Sequence, residues 1–379
     1  MKERRRVDLP IGLYLHIPFC ASKCPYCDFY SVTTTDLQLD TYTDALTRSL
    51  ADWASKTGET ADTLYFGGGT PSLLGGKRLA RLAETARRLF SIPNSAEITL
   101  EANPGDALDE VFSAFSAAGG NRLSLGMQST NDTQLRVLGR RHTVSQTESA
   151  IRAAQRAGIA NYSLDLMLGT PAQTVRDVEH AAACCEQWGA SHVSAYLLKL
   201  ENGTPFAAAP PPLPDEDTTV ALYHAAADAL EAHGYRQYEI SNFARPGCES
   251  RHNTKYWNLD PYLGIGPSAH SFLGGKRFAY SRSLADFLSG KPPIAEAVTP
   301  TVIAEDSAEE YAMLRLRLAD GLREDAFQAR FGTPIPVAWR VAAKTLPPSL
   351  IRTDNDSIRL TRDGFLVSNA IISRLLGSA

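Results

Sequence analysis

Short apolar runs alternate with helical stripes along the first two hundred residues. Strand-like runs occupy residues 12–17, 63–66, 97–100, 122–125, 162–168 and 192–197, most of them ending near Gly, Pro or Asn. Helical periodicity fills the gaps. Residues 40–53 put Tyr42, Ala45, Leu46, Ser49 and Trp53 near one stripe, and residues 78–90 do the same with Leu79, Leu82, Ala86 and Leu89. Residues 174–188 and 219–233 continue the series. Strand–helix repetition predicts an α/β fold with a parallel sheet and helices outside it. Six strands fall short of a closed eight-stranded barrel, so the expectation is an open, partial (β/α)6 barrel with ligands at the C-terminal strand ends.

The barrel is expected to span residues 11–240, after a basic tail at 1–10 carrying Lys2, Arg4, Arg5 and Arg6. Within it, AAAPPPLP at 207–214 reads as a stiff extended connection. Residues 241–300 read as a loop-rich connecting segment, closing on a stretch with three Pro at 291–300. Residues 301–379 form a small C-terminal domain, with helices at 307–317, 323–331, 337–344 and 366–376 and a strand at 357–360.

Composition narrows the classes. Apolar residues make up 44% and charged residues 21% of the 379, which excludes wholesale disorder. Lys plus Arg number 38 against 42 Asp plus Glu, a net charge of −4, so there is no basic field for nucleic acid. No apolar run reaches the ~18–20 residues of a membrane span, and no signal core follows the basic tail; a cytoplasmic protein is the expectation. Six Cys are too sparse for a disulfide scaffold, so clustered Cys read as metal ligands or reactive thiols.

The strongest chemical signal is Cys20, Cys24 and Cys27, a C-x3-C-x2-C set just after the first strand. Three thiolates at this spacing wrap one cubic iron–sulfur cluster and leave its fourth iron open. The alternative is structural zinc, with His16 or Asp28 as fourth ligand; zinc usually takes two-residue spacings. After the second strand comes GGGTP, with Gly67, Gly68, Gly69, Thr70 and Pro71. Such a run permits close backbone approach, and its N–H groups are suited to a carboxylate. Glu101, Gln128, Arg140 and Asp165 lie at or near later strand ends and converge on the same barrel mouth. Each also has a purely structural reading: a helix cap for Glu101, a solvated face for Arg140, a satisfied backbone for Asp165.

The cysteine spacing resembles the radical S-adenosylmethionine (SAM) superfamily, in which SAM chelates the open iron and is cleaved reductively to a radical. YLHIPFCASKCPYCDF, YFGGGTPSLL, EANPGD, LSLGMQS, LGRRHT and SLDLMLGTP together resemble the oxygen-independent coproporphyrinogen III dehydrogenase family, most closely its haem-chaperone branch, HemW. The similarity runs from about residue 13 to 376, and EEYAMLRLRLADGL and LTRDGFLVSNAIISRLL resemble the family's winged-helix-like C-terminal module. By resemblance, Cys20, Cys24 and Cys27 hold a 4Fe–4S cluster. Tyr14, Tyr26, Gly68, Gly69, Thr70, Glu101, Gln128, Arg140 and Asp165 take the positions of the SAM contacts, some of which serve a second SAM in the dehydrogenase.

Two departures favour the chaperone branch. The dehydrogenase has a further Cys two residues after the third cluster Cys, where this chain has Phe29, and a longer segment before the cluster than the nineteen residues present here. HNTKYW matches the branch's H-N-x-x-Y-W motif, which implicates His252, Tyr256 and Trp257 in haem handling. The plainer reading is that His252 and Trp257 pin an irregular loop onto the barrel. The resemblance therefore implies a haem chaperone that carries haem as cargo to acceptor proteins such as respiratory enzymes, admits a homodimer and a transient membrane-associated partner, and gives no reason to expect nucleic acid. The rival is the dehydrogenase itself, which oxidatively decarboxylates propionate side chains; no catalytic residue is assigned. Cys184 and Cys185 read as buried small hydrophobes, Cys248 as a loop thiol, His142 as a local hydrogen-bonding residue, and His270 as a candidate for the barrel mouth.

Overall fold

The computed structural model describes residues 9–33, 35–292, 294–295 and 307–377. Six parallel strands form where the apolar runs predict them: β1 (Ile11–Ile17), β2 (Ala61–Gly68), β3 (Glu97–Ala102), β4 (Arg122–Gln128), β5 (Asn161–Leu168) and β6 (His192–Leu197). They pair in chain order. Helices α1 (Asp36–Thr57), α2 (Gly76–Leu89), α3 (Asp109–Ala117), α4 (Asp132–Val137), α5 (Val144–Arg156) and α6 (Val175–Gln187) cross between them, and α7 (Pro205–Ala208) and α8 (Glu216–Ala232) follow β6. Reciprocal capping starts α5 and α6, Thr143 with Gln146 and Thr174 with Asp177.

The two faces of the sheet differ in kind. Ile98 and Leu100 on β3, Leu123 and Leu125 on β4, and Leu164, Leu166 and Leu168 on β5 pack into one core with the helices. The alternate positions carry Thr99 and Glu101, Arg122 and Ser124, and Ser163 and Asp165, which line the interior of the barrel. Register places these side chains in rows: Glu101 pairs with Ser124, Ser124 with Ser163, and Asp165 with Ser194. The hydrophobic core thus lies between sheet and helices, and the concave face is left polar for a ligand.

Residues 241–300 correct the loop-rich expectation. β7 (Arg236–Gln237) and β8 (Asn242–Ala244) form a hairpin, and β8 pairs antiparallel with β6. HNTKYW lies on helix α9 (Arg251–Trp257), whose N-cap Ser250 accepts from the Asn253 N–H. β9 (Tyr262–Ile265) then joins the sheet parallel to β1, and β10 (His270–Leu273), β11 (Lys276–Ala279) and, beyond α10 (Leu284–Leu288), β12 (Ile294–Ala295) extend it antiparallel to twelve strands. These strands are two to four residues long, so they carry too few positions to show a period; pairing with distant strands creates them.

The C-terminal part has α11 (Ala308–Arg315), β13 (Leu322–Arg323), α12 (Glu324–Phe331), α13 (Val337–Lys344), β14 (Ile351–Thr353), β15 (Ser357–Leu360), α14 (Arg362–Leu366) and α15 (Ser368–Leu376). Its small antiparallel sheet and helices bury Phe327, Trp339, Ile358, Phe365 and Ile371 in a second core, which Leu259 joins from the turn after α9 and Phe272 from β10. Residues 1–8 of the tail expected at 1–10, and residues 296–306, lie outside the described residues.

Candidate functional site

The loop after β1 is tied at its base. Phe19 bridges Val32, the Val32 N–H donates to Pro18 O at 2.6 Å, and the Cys20 N–H donates to Val32 O at 3.0 Å. The chain between is an excursion that carries all three cysteines, with the Cys27 N–H turned back onto Cys24 O at 3.1 Å. The glycine run locks this loop to β2. Gly69 N–H donates to Ile17 O at 2.8 Å and Thr70 N–H to Phe19 O at 2.7 Å. A Cβ on Gly68, whose φ is +118°, would sit 2.6 Å from the His16 ring, and one on Gly69 would sit 2.6 Å from Phe19 O. The N–H groups expected to face a ligand carboxylate are therefore engaged internally: that of Gly68 donates to Glu101 Oε2 at 3.0 Å.

Cys20, Cys24 and Cys27 line one cavity of about 160 Å³. Gly68, Gly69 and Thr70 reach it from the end of β2, and Glu101, Gln128 and Asp165 from β3, β4 and β5. Arg140 and Tyr26 complete its wall. The structure thus gathers eight of the nine expected SAM contacts around the three cysteines. Tyr14 stands behind them, its hydroxyl hydrogen-bonded to His16 Nδ1 at 3.0 Å and its ring against Tyr65. Two side chains donate toward sulfur: Thr70 Oγ1 lies 3.6 Å from Cys20 Sγ, and Arg140 Nη1 lies 3.6 Å from Cys24 Sγ. Among the described residues no three His, Cys, Asp or Glu converge on a single-ion site. Three soft donors spread around one cavity, with hydrogen bonds to two sulfurs, fit a multi-iron cluster better than one zinc ion.

Two half-buried carboxylates line this space. Glu101 accepts from the Tyr65 hydroxyl at 2.8 Å, yet burial raises its pKa to about 7. Asp165 accepts from the Ser124 hydroxyl at 3.1 Å, and burial raises it to about 6. Gln128 holds a left-handed backbone, φ +68°, where the register of β4 with β5 slips; Tyr196 Oη donates to its Oε1 at 2.6 Å. A larger cavity of about 600 Å³ continues down the barrel from the same carboxylates to Arg122, His192 and Asn253. Phe29, 69% exposed, stands on its rim.

The HNTKYW segment lies apart from the cysteines. His252 is fully buried, its Nδ1 hydrogen-bonded to Thr63 Oγ1 at 2.8 Å and its Nε2 to Tyr256 Oη at 2.7 Å. Burial lowers its pKa to about 3. Glu97 accepts from the backbone N–H groups of Arg251 and His252, and Lys255 Nζ donates to Pro10 O at 2.8 Å. These contacts seat α9 on the first residues of β1, β2 and β3, so it plugs the barrel's N-terminal end. With α9 seated, neither ring nitrogen of His252 is open to an iron, and Tyr256 is held in the same network. Trp257, half-buried, ends the helix.

Other expectations sort simply. His142 Nε2 bonds Met127 O at 3.1 Å, Cys184 and Cys185 are buried, and Cys248 lies in a loop, its carbonyl accepting from Arg122. His270 begins β10, exposed, and lines neither cavity. Sequence reasoning missed Asn103, Tyr65 and Tyr196. Asn103 lay within the quoted EANP, and Tyr65 and Tyr196 lay in predicted strands; their inward orientation needed the strand register.

Residues 14–185 match the Radical SAM superfamily and residues 303–367 the HemN C-terminal domain. The chain is 37% identical over 380 residues to a protein of Mycobacterium tuberculosis called Heme chaperone HemW, covering 97% of this chain and 95% of that one. It is 34% identical over 377 residues to the Bacillus subtilis protein of the same name, covering 96% and 98%. Among solved structures, coproporphyrinogen III oxidase (HemN) from Escherichia coli superposes with a TM-score of 0.81 at 22% identity, covering 98% of this chain and 91% of that one; this is a likeness of fold.

Proposed function

The chain belongs to the HemW family of the radical SAM superfamily, and from that premise we propose that it is a haem chaperone carrying a 4Fe–4S cluster and SAM. The observation that carries the reading is near-full-length similarity to proteins named as haem chaperones, joined to three cysteines on one cavity. Cys20, Cys24 and Cys27 hold three corners of the cluster. SAM lies in the adjoining space, with Gly68, Gly69, Thr70, Glu101, Gln128, Arg140 and Asp165 around it and Tyr14 and Tyr26 in support. When bound, the cluster and SAM supply one-electron chemistry.

The chain's own contribution is placement and proton state. Thr70 and Arg140 direct donors at the cysteine sulfurs. Glu101, with a pKa near 7, is poised between its forms and meets a cationic amino group as carboxylate or a neutral partner as acid. Haem is cargo, destined for acceptor proteins that include respiratory enzymes, in the cytoplasm. A haem site using His252 as axial ligand requires α9 to lift from β2 and β3; with α9 seated, haem binds elsewhere. Homodimer formation and a transient membrane-associated partner belong to the same reading.

The second reading is coproporphyrinogen III dehydrogenation, favoured by the cavity of about 600 Å³ below the cysteines and opposed by Phe29. One experiment separates the two: anaerobic reconstitution, haem titration followed at the Soret band, and a coproporphyrinogen III turnover assay with SAM and reductant on the same sample. Saturable haem binding without turnover supports the chaperone. Turnover overrules the argument from Phe29, and absence of stoichiometric haem binding defeats the first reading.

A further inference from the structure

Asn103 follows β3 and faces the cysteine cavity, where its amide joins two side chains. Its Nδ2 donates to Thr70 Oγ1 at 2.8 Å, and its Oδ1 accepts from Arg140 Nη2 at 2.5 Å. Thr70 and Arg140 are the two groups that reach sulfur, Cys20 and Cys24 respectively. An amide has fixed ends: the nitrogen only donates and the oxygen only accepts. Because Asn103 fills a lone pair of Thr70 Oγ1, the hydroxyl proton is left for another acceptor, and Cys20 Sγ is within reach. On the other side, Asn103 Oδ1 and Gly126 O together fix the guanidinium plane of Arg140, which leaves Nη1 aimed at Cys24. Gly126 is part of the same arrangement. A Cβ there would sit 2.8 Å from Arg140 Nη2 and 3.0 Å from Asn103 Oδ1, so a side chain would wedge the strut apart.

We infer that Asn103 is a positioning residue that holds one hydrogen-bond donor on each of two cluster-ligating thiolates and thereby raises the reduction potential of the group they hold. Hydrogen bonds to sulfur stabilise the more negative, reduced state, which is the physical basis of the effect. The inference rests on the reading of Cys20, Cys24 and Cys27 as cluster ligands.

The test is an EPR-monitored potentiometric titration of the anaerobically reconstituted full chain without SAM, with iron and sulfide content measured on each sample. Asn103→Ala and Thr70→Val both shift the midpoint to lower potential at wild-type iron content, and Thr70→Ser restores the wild-type midpoint. Both variants are uncharged, so the shift is not a new charge beside the cluster. Loaded Asn103→Ala and Thr70→Val with the wild-type midpoint overturn the strut and leave the cluster reading standing. A wild-type chain that takes up no iron and sulfide overturns both. If Asn103→Ala fails to load, Asn103→Ser, which is too short to span both partners, decides: a lowered midpoint upholds the inference, and an unchanged one ends it.

Discussion

The imidazole of His252 on α9 is hydrogen-bonded to Thr63 on β2, Nδ1 to Oγ1 at 2.8 Å, inside a barrel floor that admits no solvent to the ring. The same ring packs against Tyr65 with centroids 5.0 Å apart. The motif implicated in haem handling by resemblance is, in this conformation, the fastening of a helix.

His252→Ala is therefore expected to destabilise the cluster-free protein by about 2–4 kcal/mol. It leaves two hydroxyls, Thr63 and Tyr256, without their partner and opens a cavity. Urea unfolding measures this. Unchanged stability together with lost Soret binding would instead make His252 a ligand and not a fastener.

Replacing Cys20, Cys24 and Cys27 together by Ala removes the iron–sulfur chromophore yet leaves the barrel folded. The three lie on a loop at a strand end and are only partly buried, outside the main core. Circular dichroism melts of the variant and of cluster-free wild type coincide within a few degrees. Insolubility of the variant alone would show the thiols to be structural.

Gly68→Ala costs about 3 kcal/mol or more, because the added methyl meets the His16 ring and the backbone is at φ +118°. Gly58→Ala, at φ +65° with nothing within 4 Å, costs about 1 kcal/mol. Equal unfolding midpoints for the two variants would contradict the close approach of β1 and β2.

Burial raises Glu101 from 4.5 to about 7, so the folded state keeps a proton that the unfolded state releases. The stability this contributes is present below pH 4.5 and is lost as pH rises through 7. Glu101→Gln cannot ionise, so its stability relative to cluster-free wild type increases between pH 4.5 and pH 7 by up to about 3 kcal/mol. Only this difference isolates the effect. His16 and His142, lowered by burial to about 4, act in the opposite direction in wild type and variant alike: their contribution is present above the usual histidine value and is lost as pH falls toward 4. Parallel curves for the two proteins would place Glu101 in contact with water.

The sequence by itself determined the six strands, because each is a run of apolar side chains for the helices and most end in a break at Gly, Pro or Asn. It also determined the cysteine spacing and the glycine run, since ligand geometry and close backbone approach depend on neighbours a few positions apart. Only the tertiary structure decided the rest. β9 exists because β1 lies beside it, some 250 residues earlier in the chain, and four residues carry no period of their own. Whether His252 faced a ligand or a threonine depended on how α9 landed on β2. Asn103 became notable only when β2, β3 and the Arg140 loop brought its two partners to either end of one amide. Local patterns carry local preferences. Which distant polar groups meet is fixed by packing, and packing is a property of the folded chain.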